Sequence, residues 1–389
     1  MGSLGAWGHL VSERLKMEYI HRNGKLVFWT AAIVVLGCVG PAQQSARAQN
    51  SVAGWPDKNF AQEQPKPVRF DTRATVLRNG KFDSDEEEQK FTEYYTKSLF
   101  PNVTWYKPPN RQAQSDVIAK LRTDLKACEG RPEQQVFNKL ADLTLAYMTK
   151  IANDGQYHPA ARVNAMLAIG EVNSPRAAQV LLDAAFGRGK VFALRVAAMA
   201  GLVRMAGPSG RGVLLSDPDF ERSVVTKMVT CVGLKNRDDG IFWMRGQAAD
   251  VLGDLGDPQE GVPAALLAML NDKYLPIPLR SKAARALGKL KYGDNLPAAG
   301  PYLKALAAFA DDALGSDQPV DRARVRLVVH DAEDGLKQFA KSPNDQDFSN
   351  ELKKILQEID KETEDKMTSE DLKTSINKAK ESLDSLLKK

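Results

Sequence analysis

The feature of this 389-residue chain that most restricts its fold is a register of arginines. Setting Arg162, Arg195, Arg245 and Arg280 under one another aligns an Ala three residues on, an Ile or Leu seven on, and a Val, Met or Leu ten on. Gly stands at the eighth step in three of the four segments, and a helix breaker, Pro175, Pro208, Pro258 or Gly293, stands at the thirteenth. Steps of three, four and seven put side chains on one face of a helix, and a breaker at a constant distance ends each helix at the same point. A second apolar stretch follows each segment, at 177–186, 224–234, 262–270 and 302–314. The unit is a helix hairpin recurring at intervals of 33, 50 and 35 residues, which is the scale of an α-solenoid repeat. Inserted loops at 207–219 and 236–240 fill the long interval.

A chain of 389 residues exceeds the size at which one hydrophobic core stops growing, and an array that lengthens by adding units escapes that limit. Upstream, Val117, Leu121 and Leu125, then Val136, Leu140, Leu143 and Tyr147, keep the helical spacing on either side of Gly130-Arg131-Pro132 and form a further helical pair.

The units, above all RGQAADVLGDLGDPQEGVPAALLAML at 245–270, resemble HEAT repeats of the short type first noted in phycobilisome lyases, and the resemblance spans 157–314. It implies an all-α fold, a right-handed α-solenoid of helix hairpins. It also implies that Arg245 and the turn residue Asp257 hold neighbouring repeats together as a structural ladder. Three departures stand out: Val203 where Gly is usual, the interval of 50 residues, and no counterpart of Asp257 in the second unit. Identical placement in every unit is what an architectural role predicts, so Arg162, Arg195, Arg245 and Arg280 are read as structural positions rather than as the lining of an anion groove.

The two ends differ from this array. Residues 26–40 are an apolar run too short to span a bilayer, preceded by Arg22 and Lys25 and followed by Ser45-Ala46-Arg47-Ala48, a small-x-small site. An export signal cut after Ala48 is expected, with Met17 as an alternative start. A second route competes, because Val35-Leu36-Gly37-Cys38 resembles a bacterial lipobox in which Cys38 is acylated and anchors the protein. Residues 49–110, rich in Pro and polar residues, read as an extended arm with one short helix capped by Asp83. The solenoid is expected over 111–344, with a degenerate helical pair at 320–339 closing it. The stretch 345–389 reads as two amphipathic helices, able to self-associate, whose 12 acidic and 9 basic residues are too evenly mixed for a membrane-surface helix.

Chemistry finds little material. The chain has four His and three Cys, and no HExxH, CxxC or CxxCH, so no metal, cofactor or catalytic site is expected. His158 sits where a helix starts and reads as a cap. His330 and Asp331 are adjacent on a helix and do not face each other. Cys231, within an apolar helical stretch, reads as a small core residue, and a disulfide to Cys128 is left open because the chain is expected to be exported. A formal charge of +5, from 54 basic against 49 acidic residues, argues against a nucleic-acid partner. These features lead to an exported, periplasmic or secreted, non-catalytic scaffold that binds another protein through its solenoid surface. A lyase- or isomerase-like enzyme acting on a chromophore-bearing protein and a lipid-anchored envelope scaffold are the alternatives.

Overall fold

The computed structural model describes residues 65–105 and 112–314, apart from positions 188, 190, 209, 237, 260 and 293–298, and a few helical positions between 350 and 382. Contacts divide the chain into residues 1–56 and 57–389, and everything described belongs to the second unit. The signal segment with Met17, Cys38 and Ala48, and the pair expected at 320–339 with His330 and Asp331, lie outside the described residues. In the tail, Asn350, Lys354, Gln357, Thr374, Lys378 and Glu381 are helical and exposed, and the apolar stripes lie outside the described residues.

Among the described residues the protein is all helical and contains no strand. In chain order the helices are α1 (Arg73–Asn79), α2 (Asp85–Glu93), α3 (Gln112–Cys128), α4 (Gln135–Asn153), α5 (Pro159–Ile169), α6 (Pro175–Phe186) and α7 (Phe192–Ala206). They continue as the short α8 (Arg211–Leu214), α9 (Pro218–Val232), α10 (Asp239–Leu255), α11 (Val262–Asn271), α12 (Ile277–Lys289) and α13 (Ala299–Leu314). Proline opens α5, α6, α9, α11 and α12, where its missing N–H costs nothing. Side chains of Ser174, Asp217 and Asp238 cap α6, α9 and α10.

From α3 onward, alternate helices form a row in which α3, α5, α7, α10 and α12 each pack on the next. The intervening helices α4, α6, α9 and α11 each pack on the row helix that follows them in sequence, and α13 packs on α11 and α12. The aligned positions are the ones that make these contacts. Ala165, Ala198, Ala248 and Ala283 are buried, as are Ile169, Leu202, Leu252 and Leu287, and Val172, Met205, Leu255 and Leu290. The long interval between Arg195 and Arg245 accommodates α8, which is pinned by the buried Leu214.

Within the row, backbones approach closely. A Cβ on Gly253 would lie 2.8 Å from the Cα of Ala286, and one on Gly170 would lie 3.0 Å from the Cα of Gly201. In both pairs the eighth position after one arginine meets the sixth position after the next, so the spacing of the small residues is a packing register. The departure at Val203 falls on the eighth position after Arg195 and is half-buried, while α7 meets α5 through the sixth position, Gly201.

Residues 65–105 correct the reading of 49–110 as an extended arm. They form α1, α2, a π turn (Tyr94–Leu99) and a 3-10 turn (Phe100–Val103), packed on α3 and α4. Phe91, Tyr95, Phe100 and Val103 are fully buried. Aromatic rings run continuously from Phe82 through Phe91, Tyr95 and Phe100 to Tyr147 of α4. The aromatic content outweighs the prolines, of which Pro101 merely opens the 3-10 turn. The cap of α2 is Ser84, whose Oγ accepts the Glu87 N–H at 3.2 Å, rather than Asp83.

Candidate functional site

The four recurrent arginines make one bond in common. Nε donates to a backbone oxygen at the end of the preceding helix: Arg162 to Ala152 O (3.0 Å), Arg195 to Ala185 O (2.9 Å), Arg245 to Val232 O (2.9 Å) and Arg280 to Leu270 O (2.7 Å). Each acceptor is the last or next-to-last residue of α4, α6, α9 or α11. The carbonyls of a final turn have no partner within their own helix and carry the negative end of its dipole, so a guanidinium there satisfies an acceptor and opposes the charge. α5, α7, α10 and α12 are each thereby tied to the end of the helix before them in the hairpin.

The carboxylate expected to complete the ladder is a different one. Arg245 Nη2 donates to Asp272 Oδ2 at 3.4 Å, and Arg280 Nη2 to Asp312 Oδ2 at 3.0 Å. Asp257 does not join Arg245 but accepts from Gln259 Nε2 at 2.9 Å. Burial raises the Glu221 carboxyl, and the neighbouring Asp257 raises it further. Asp257 lies in the loop after α10, at the opposite end of that helix from the residues that meet the guanidinium of Arg245.

The other ends of the row helices carry a second set of charges, nine residues after each arginine: Glu171, Arg204, Asp254 and Lys289. Arg122 grips Glu171 with two bonds of 2.8 Å, Arg204 approaches the same carboxylate at 3.5 Å, and Lys289 reaches Asp254 at 2.9 Å. Glu171 is buried, and burial lowers the Arg204 pKa against the raising effect of that carboxylate. These pairs link α3, α5 and α7, and α10 with α12.

A cleft of about 390 Å3 opens beside Arg245, lined by Phe242 of α10, Ala268 of α11, Tyr274 and Leu275 of the next turn, and Lys235. Tyr274 is 74% exposed. The outward side of the row itself is half-buried rather than open: Val163 and Leu167 of α5, Ala200 and Val203 of α7, and Trp243 and Gln247 of α10 are all of intermediate exposure.

The remaining chemistry-bearing residues sit apart. His158 caps α5, its Nδ1 accepting the Ala160 N–H at 3.1 Å, and partial burial lowers its pKa. Cys128 and Cys231 are free and buried, on α3 and α9, so the disulfide left open by the sequence is not formed. Burial pushes the Cys128 thiol up to about 12 and the Cys231 thiol up to about 11. Among the described residues no group of three or more His, Cys, Asp or Glu could hold a metal ion, and no helix is long and apolar enough to cross a membrane. The sequence also held no signal for Asp124, which is buried on α3 and binds both Tyr95 Oη (2.7 Å) and Arg73. No family model, curated protein or solved structure matches the chain.

Proposed function

We propose that the protein is an exported α-solenoid of HEAT-like repeats that holds another protein against its helical row and carries no catalytic group of its own. The observation that supports this best is the recurring arginine bond, made to the same place in four successive units, because a bond repeated in that way builds an extended surface rather than a pocket. Partly exposed residues of α5, α7 and α10 suit the role, among them Val163, Leu167, Ala200, Val203 and Trp243, the last a residue type enriched where partners bind tightly.

Export rests on the segment 22–48, with cleavage after Ala48; acylation at Cys38 is the alternative, and the mass of the mature N-terminus separates them. The tail 345–389 serves self-association, and its deletion should lower the mass in solution. Affinity capture from the native envelope tests the main reading. The wild-type protein should return a reproducible protein partner, and Ala200→Glu with Val203→Glu should lose it while keeping the thermal midpoint. Capture of no partner, or equal capture by the double variant, would overturn the reading.

A further inference from the structure

The turn after α10 is held on its two sides by unlike means. Toward the end of α12 the hold is backbone, with Gly256 O accepting the Lys291 N–H at 2.8 Å. Toward α9 it is made of side chains, and two of them are acids. Gln259 Nε2 donates to Asp257 Oδ2 at 2.9 Å and to Glu221 Oε1 of α9 at 3.4 Å, so one carboxylate from α9 and one from the turn converge on a single amide nitrogen. Two acids so placed repel when both are charged. When they share one proton they attract, because the protonated member donates a charge-assisted hydrogen bond to the other.

The neighbouring charges are committed elsewhere. On α10, Arg245 meets Asp272, Asp250 meets Lys282 and Asp254 meets Lys289. On α9, Asp217 caps the helix by accepting the Asp219 and Phe220 N–H groups, and Arg222 pairs with Asp219. α11 has no ionisable residue, and Glu260 lies outside the described residues. The cation facing the pair is Arg211 of α8, whose Nε is buried without a hydrogen-bond partner among the described residues. Arg211 favours the charged form of Glu221, but burial and Asp257 outweigh it and raise the carboxyl.

We infer that Glu221 and Asp257 form a proton-operated latch between α9 and the turn after α10. One proton taken from solvent closes it, with the Glu221 carboxyl donating to the Asp257 carboxylate, and loss of that proton opens it by leaving two like charges on one amide. The latch acts within the chain and holds whether or not a partner binds. A carboxyl raised in the folded state binds its proton more tightly there than in the unfolded chain. The latch therefore contributes its full stability below the ordinary glutamate value of 4.5 and loses it as the pH rises through the folded value.

Hydrogen exchange of the full chain at pH 4.5 and pH 7.0, read by mass spectrometry and corrected for the intrinsic rate, tests it. Peptides covering 218–224 and 255–262 should exchange about threefold faster at pH 7.0 than at pH 4.5 in the wild type. Glu221→Gln carries a neutral group at either pH and should give the slow rate at both. Asp257→Asn, which removes the second charge, should do the same, whereas Glu260→Gln should keep the wild-type response. At pH 7.0 the thermal midpoint of Glu221→Gln should be no lower than that of the wild type. No pH response in the wild type, an unchanged response in Glu221→Gln or Asp257→Asn, its loss in Glu260→Gln, or a lowered midpoint in Glu221→Gln would overturn the latch.

Discussion

At Arg280 one buried side chain joins three groups: the carbonyl that ends α11, the carboxylate of Asp312, and the face of the Phe309 ring, 5.2 Å from the guanidinium. Lysine keeps the charge but offers a point in place of this planar fork, so Arg280→Lys should cost about 1–3 kcal/mol in denaturant unfolding, the scale of a buried acceptor left without its hydrogen bond. The glycines of the row act by space instead. Gly253→Val would drive a side chain into the α12 backbone at Ala286 and should cost about 1–3 kcal/mol, whereas Gly212→Ala, in open space on α8, should stabilise by up to about 1 kcal/mol. The arginine and glycine positions were legible in the sequence because the same geometry recurs at the same step. The carboxylate partners were not, because Asp272 and Asp312 lie 27 and 32 residues beyond their arginines, one just after α11 and the other on α13, without a common register. The thiols give a pH-dependent test. With folded pKa values raised by burial above the ordinary thiol value, their contribution to stability is complete below pH 9 and is lost as the pH rises toward 11 and 12. Iodoacetamide at pH 8, read by mass spectrometry, should therefore leave Cys128 and Cys231 unlabelled in the native protein and label both in denaturant.

Elements at the start of the array show where sequence patterning loses its hold. The helices from α3 to α13 carry their apolar residues at three- and four-residue steps and were readable alone, except the four-residue α8, which falls in the stretch 207–219 read as an inserted loop. Residues 65–105 do not: α1 has seven residues, α2 passes into a π turn, and the buried Phe91, Tyr95, Phe100 and Val103 follow no single period. What fixes them is tertiary, the aromatic run onto Tyr147 and the Asp124 carboxylate that receives Tyr95 and Arg73 from outside the array. These residues pack on α3, on which Val117 and Leu121 are buried. Tyr95→Phe keeps the ring and removes the bond to a buried carboxylate, so it should cost about 1–2 kcal/mol, measured by urea unfolding. A larger loss is expected from Asp124→Ala, which leaves Arg73 and Tyr95 without their shared partner.

Among the described residues, the main contacts join each helix to helices no more than three places away in chain order. Stability in such an arrangement is close to a sum of unit and interface terms, and local damage stays local. A single compact core would behave otherwise, losing protection throughout when any member is weakened. Arg280→Lys distinguishes the two. It frees the end of α11 and the bond to Asp312, both confined to the last described units, while α3, α4 and α5 touch none of these residues. Hydrogen exchange followed by mass spectrometry should show faster exchange in α11, α12 and α13 of the variant and unchanged exchange in α3 to α5. The reciprocal variant, Arg162→Lys, should speed exchange in α4 and α5 and spare α12. Uniform loss of protection in either variant would mean that the units fold as one cooperative body, and would remove the additive array on which the proposed binding surface depends.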